Sequence, residues 1–291
     1  MNSQRIELLL DAKATLGEGP AWDAKTNTLY WVDILEKRIH MYDGADRVIQ
    51  LEDYVGCVAP CRDGRLVIAL RFGLWTLDLS AAKLTEIAVP RGEPSTNRFN
   101  DGKCDPAGRL LAGTMDMNER ETSGALYSLS SDLKITKLLE GIRISNGLAW
   151  SPDYKTLYYI DTPTREVKAF EYDLDTGRIG GARVVIRVPE ELGFPDGMTS
   201  DTEGNLWIAM WAGAQVTRWD PRRGQLLEQI EVPAWNVTSC VFGGEELNEL
   251  YITTASSGMD AADLSHYPQS GGLFRLRTNV RGMPTFEFGG P

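Results

Sequence analysis

One short block is written six times along this chain: LGEGPAWDAKTNTLYWVD (16–33), VGCVAPCRDGRLVIAL (55–70), FNDGKCDPAGRLLAGTM (99–115), SNGLAWSPDYKTLYYID (145–161), PDGMTSDTEGNLWIAM (195–210) and VTSCVFGGEELNELYITTA (237–255). Each copy reads as strand, turn, strand. Aligning the leucine that opens the second strand gives Leu29, Leu66, Leu110, Leu157, Leu206 and Leu250, with spacings of 37, 44, 47, 49 and 44 residues. A repeat of that length carrying about four short strands predicts an all-β, six-bladed β-propeller around a central channel. Six blades account for nearly all of the 291 residues, so a single propeller domain over 1–291 is expected.

A further strand pattern follows each block: RIHMYD (38–43), LWTLDL (74–79), GALYSLS (124–130), VKAFEYD (167–173), QVTRWD (215–220) and GGLFRL (271–276). Apolar and polar residues alternate in these runs, as a strand with one face on a neighbouring blade requires. RIELLLDA (5–12) precedes the first block and has no blade of its own; it is expected to complete the last blade, because an open ring would leave strand edges unpaired. Helical turns are expected at most over 240–249 and 258–268.

Ten or eleven residues before the aligned leucines stand Glu18, Asn100, Asn146 and Asp196. Equivalent positions of a closed ring lie at one height around one axis, so these four oxygen-bearing side chains should converge on the channel. Glu18, Asn146 and Asp196 are each followed by glycine, which permits close backbone approach beside a ligand. Asn100 is followed by Asp101 and then Gly102, so by that criterion Asp101 competes for the inward slot. Two carboxylates and two amide oxygens make a hard, all-oxygen set suited to calcium, magnesium or manganese. Arg98 shares the inward face of Asn100 by strand alternation, where it would orient substrate oxygens; a salt bridge at the rim is the competing assignment.

Other chemistries are poorly provided for. The two histidines, His40 and His266, fall off the inward phase and are expected on a surface strand and a loop, so a Ser-His-Asp triad or a histidine zinc site is hard to build. Cys57, Cys61, Cys104 and Cys240 have neither disulfide-framework nor zinc-ribbon spacing, and Cys57 and Cys61 should be small apolar residues on a strand next to the core. No glycine-rich phosphate loop opens a helix. A formal charge of −11 leaves no basic stripe, so nucleic acid and anionic membrane are not expected as partners. No apolar run approaches the roughly 18 residues that span a bilayer, and the N-terminus lacks a cleavage signal, so a cytoplasmic protein is expected.

LGEGPAWD, RFNDGKCDPAGRLLAGTM, ISNGLAWSPD and FPDGMTSDTEGNLWIA, with TSCVFGG and the late GMD and GGLFRL segments, resemble the senescence-marker protein / regucalcin / gluconolactonase family of six-bladed propellers. The resemblance runs from about residue 6 to 280. It implies a divalent metal held by Glu18, Asn146 and Asp196, with Asp196 also the general base, and a sugar lactone contacted by Arg98 and Asn100, which favours Asn100 over Asp101. Animal members place a substrate-contacting Glu shortly after the GTM motif; the ungapped match is Asn118, with Glu119 next to it. The segment 115–127 is expected to overhang the channel mouth.

The implied activity is metal-dependent opening of an aldonolactone to its aldonic acid. Calcium is the expected metal, with magnesium, manganese, zinc or iron as alternatives, in a monomer or weak homo-oligomer. Two other functions fit the same site: organophosphate hydrolysis of the diisopropyl-fluorophosphatase type, and calcium binding by a regulatory propeller without turnover.

Overall fold

The computed structural model describes residues 6–289. Twenty-four strands form six four-stranded antiparallel sheets, and five of the sheets take their strands in chain order. Blade I runs Gly17–Asp23, Thr28–Asp33, Arg38–Tyr42, Asp46–Gln50; blade II, Val55–Pro60, Leu66–Leu70, Leu74–Asp78, Lys83–Ala88; blade III, Asn97–Cys104, Leu110–Asp116, Gly124–Leu129, Ile135–Ile142. Blade IV runs Ser145–Trp150, Thr156–Asp161, Glu166–Asp173, Arg178–Arg187; blade V, Phe194–Ser200, Leu206–Trp211, Gln215–Asp220, Gln225–Glu231. Blade VI takes Asn236–Gly243, Glu249–Ala255 and Leu273–Arg277, and its outermost strand is Glu7–Leu10 from the other end of the chain. The expected closure therefore holds, although Arg5, the first residue of the expected strand, lies outside the described residues.

The innermost strands touch one another around the whole ring, blade VI meeting blade I. Apolar packing is concentrated between blades. The six aligned leucines are at most 1% exposed, and each lies in a different inter-blade core: Leu66 between blades I and II, Leu110 between II and III, Leu157 between III and IV, Leu206 between IV and V, Leu250 between V and VI, Leu29 between VI and I. A leucine retained at one phase of every repeat is thus the contact by which each sheet buries its face on the next. Cys57 and Cys61 are buried in the core between blades II and III, as expected for small apolar residues.

Three local expectations are corrected. Residues 240–249 hold the end of a strand and a turn, whereas Ala261–His266 is a short helix whose N-cap, Asp260, accepts from the N–H groups of Ala262 and Asp263. His266 closes that helix instead of lying on a loop. His40 is buried, its ring stacked on Trp31 at 3.8 Å and its Nδ1 2.9 Å from Asp46. The Trp31 ring and the Asp46 side chain cover the imidazole on the face that alternation assigned to solvent.

After the last strand, residues 281–289 cross the end of the ring where the innermost strands finish. Gly282 N–H donates to Leu247 O (2.7 Å), Met283 N–H to Ser200 O (2.9 Å), Phe288 N–H to Pro60 O (2.9 Å) and Gly289 N–H to Gly108 O (3.1 Å). Thr285 Oγ1 accepts from Trp22 N–H, and Phe286 meets Tyr154 edge to face. This strap therefore touches all six blades. Among the described residues no helix is long and apolar enough to cross a membrane.

Candidate functional site

At the other end of the ring every innermost strand carries a register shift at one height: between Glu18 and Ala21, Val55 and Cys57, Phe99 and Gly102, Asn146 and Leu148, Pro195 and Met198, Val237 and Ser239. Bulges of this kind break the ladder and re-aim a side chain. Four of the six place a carboxylate or amide side chain there; blade II has Gly56, whose added Cβ would fall 2.6 Å from the Phe99 carbonyl, and blade VI has the hydroxyl of Thr238. Gly147 takes φ +37° in the blade IV bulge, and a Cβ on it would meet Asp196 O at 2.7 Å. Glycine is what lets neighbouring bulges close in around the axis.

The result is a cavity of about 580 Å³ with Glu18, Arg98, Asn100, Asn146 and Asp196 in its wall. All five are buried. Arg98, Asn100 and Asn146 are joined by one directed set of hydrogen bonds. Arg98 Nη1 donates to Asn100 Oδ1 (2.6 Å) and to Phe99 O (2.9 Å). Asn100 Nδ2 donates to Asn146 Oδ1 (3.1 Å) and Ser145 O (2.9 Å). Asn146 Nδ2 donates to Thr162 Oγ1 (2.9 Å), which donates to Pro195 O (2.9 Å), next to Asp196. Thr162 was not singled out from the sequence. Its signal was its place directly after the aspartate that ends the blade IV block, where the chain turns over the mouth.

Arg98 thus turns inward, and no rim salt bridge to it occurs among the described residues. Asp101, the competitor of Asn100, is buried as well but lies beneath the cavity wall, its Oδ1 accepting the Gly102 N–H at 2.7 Å. Asn118 does not reach the cavity. Its exposed side chain lies over Asp116, whose carboxyl is held below its ordinary pKa by the Arg120 N–H first and by the Glu121 and Asn118 groups after it. Glu119 lines the cavity instead. The chain turns there with Glu119 at φ +57°, and an acidic side chain is present at the cavity one position after the ungapped match. The loop does border the mouth, through Met117 and Glu119.

The electrostatics are those of charges crowded out of water. Burial first, and then the neighbouring Asp101, pushes Glu18 up to about 8, against the opposing pull of the Gly19 N–H and of Arg98. Asp196 is raised well above the carboxylate range by burial and then by Glu18 and Asp101. Arg98 is lowered to about 10 by burial, with Glu119 and Glu18 opposing the shift. Asp196 Oδ1 is buried and has no hydrogen-bond donor. Such an oxygen is costly unless a cation or proton meets it. Among the described residues no three His, Cys, Asp or Glu side chains converge as a metal cluster. The donor set is two carboxylates, Glu18 and Asp196, with the amides Asn146 and Asn100, a composition that fits a hard divalent cation.

Comparison with known proteins identifies a family. Residues 16–256 match the family described as SMP-30/Gluconolactonase/LRE-like region. The chain is 41% identical to regucalcin of Gallus gallus, over the full length of both. It is 37% identical to the putative sugar lactone lactonase YvrE of Bacillus subtilis (strain 168), over 96% of this chain and 97% of that protein. Among solved structures, a calcium-binding protein, regucalcin, from Agrobacterium tumefaciens str. C58 superposes with a TM-score of 0.93 at 31% identity, covering 98% of this chain and 97% of the other.

Proposed function

We propose that this chain, which belongs to the SMP-30/Gluconolactonase/LRE-like family, hydrolyses a sugar (aldono-) lactone to its aldonic acid. The observation that carries this is the buried, donorless Asp196 Oδ1 in a set of oxygens opening onto a cavity that also holds an arginine. A purely calcium-storing site has no need of a guanidinium beside an open mouth.

Glu18, Asn146 and Asp196 would hold one divalent cation, calcium in keeping with the description of the Agrobacterium relative. When bound, such a cation polarises an ester carbonyl as a Lewis acid. The chain's own groups do the rest. Asn100, pinned between the Arg98 donor and its two acceptors, presents a fixed amide edge to the lactone. Arg98, desolvated and still cationic, stabilises negative charge that develops on the acyl oxygen. Asp196 accepts the proton of the attacking water on its carboxylate and returns it to the departing ring oxygen. Glu119 and Arg143 at the rim face the sugar hydroxyls as acceptor and donor.

The experiment is turnover of a panel of aldonolactones by the cation-loaded protein, before and after exhaustive chelation with metal loss checked by elemental analysis. Reversible silencing supports the proposal; full activity in the metal-free protein overturns the cation's role.

A further inference from the structure

Buried polar groups, among them Glu18, Arg98, Asn100, Asn146 and Asp196, form the floor of the cavity, and its wall also carries the polar pair Glu119 and Arg143. Glu119 and Arg143 stand together there, Arg143 Nε donating to Glu119 O at 3.0 Å. The wall also presents the large apolar side chains Leu35, Met115, Met117, Phe194 and Trp211, which blades I, III and V supply from strand ends and loops at the mouth. Leu35 and Phe194 are each 37% exposed. Large apolar side chains left open to water in a concave wall, continuous with a buried polar floor, are the ordinary sign of a ligand's apolar part.

Phe194 is held in place. The Arg165 guanidinium lies over its ring at 3.8 Å while Arg165 Nη1 donates to Gly193 O at 2.6 Å. The ring is therefore a fixed platform that projects into the mouth. Size points the same way: about 580 Å³ lies within the roughly 300–1,000 Å³ of sites for drug-sized ligands, more than one sugar ring fills. A second polyhydroxylated unit set against leucine, methionine and phenylalanine would give up water without gaining partners, whereas an alkyl or aryl group would gain burial.

We infer a further activity at this site, resting on the lactonase proposal above: opening of lactones whose ring carries an aliphatic or aromatic substituent, with the ring on the polar floor and the substituent against Leu35, Phe194 and Trp211. The reaction balances with water alone. Hydroxide equivalent adds to the acyl carbon, the ring C–O bond breaks, and the ring oxygen takes the proton, leaving a hydroxy acid.

The test compares kcat/KM of the calcium-loaded full chain for γ-butyrolactone, γ-nonalactone, γ-phenyl-γ-butyrolactone, glucono-δ-lactone and maltobionolactone. The pentyl and phenyl substituents are expected to raise kcat/KM about tenfold or more over the unsubstituted ring, and Phe194→Ser and Trp211→Ser should each shrink that ratio. Equal values for substituted and bare rings, or a gain for maltobionolactone alone, overturn the inference while glucono-δ-lactone turnover leaves the lactonase proposal standing. If no member of the panel is opened, both fall.

Discussion

Asn146 and Thr162 form a one-way hydrogen bond: Asn146 Nδ2 donates to Thr162 Oγ1 at 2.9 Å, and Thr162 spends its own hydrogen on Pro195 O at 2.9 Å. Because the threonine oxygen can only accept from the amide, the Asn146 carbonyl oxygen has to face the channel. Thr162→Val should therefore weaken calcium binding about tenfold, the usual size of a lost supporting contact behind a ligand, with little change in melting temperature of the cation-free protein. Thr162→Ser should retain affinity. Calorimetric titration of the three proteins checks this, and equal affinities would remove Thr162 from the site's support.

Asp196→Ala removes the donorless oxygen and the proposed base together. Turnover of glucono-δ-lactone is expected to fall by at least about 100-fold, with the circular dichroism spectrum unchanged, since the residue projects into the channel and packs in no inter-blade core. Retention of more than about a tenth of the activity would contradict the role proposed for it.

The pH dependence has a defined sign. In the folded protein Glu18 keeps its proton up to about 8, whereas its ordinary value is 4.5. Its contribution to stability is therefore complete below the ordinary value and is lost as pH rises through that window; Asp196, shifted the same way, adds to the loss. The melting temperature of the cation-free protein should fall between about pH 5 and pH 8, and saturating calcium should remove the fall by neutralising the carboxylates. Differential scanning fluorimetry over that range, with and without calcium, is the measurement. A cation-free melting temperature that rises with pH would be inconsistent with the crowding described.

Specificity should follow Glu119 and not its neighbour. Glu119→Gln replaces a pure acceptor by a group that also donates, and is expected to shift relative preference among aldonolactones by about 1–3 kcal/mol. Asn118→Glu, at the position matched by counting residues, should leave those preferences as they are. The reverse outcome, read from kcat/KM on the same panel, would restore the ungapped alignment.

Much of this architecture is visible along the chain because it is periodic. The leucine at the head of each second strand must be buried in every blade interface, and the polar residue ten or eleven positions earlier sits at the bulge, so both survive as a phase. The outermost strands left no such trace. In Asp46–Gln50, Lys83–Ala88 and Gln225–Glu231 most side chains face solvent, and an edge strand without a buried face carries little alternation. Counting residues matched Asn118 and left Glu119 as its neighbour, because the turn that sends Glu119 rather than Asn118 to the cavity is a matter of loop geometry that spacing does not carry. Thr162 and the 281–289 strap are unique to one place in the ring, and a repeat pattern says nothing about what occurs once.

That strap carries a consequence for catalysis. With its backbone fastened to blades II, III, V and VI, and its side chains to blades I and IV, the strap lies across the end of the ring opposite the mouth that Glu119 and Arg143 border. For the lactonase proposed above, substrate and hydroxy acid would pass through that mouth in turn, and the carboxylate newly made beside Arg98 would leave by the path the next lactone needs. Such an enzyme would turn over no faster than it empties, and its product would compete with its substrate for one doorway.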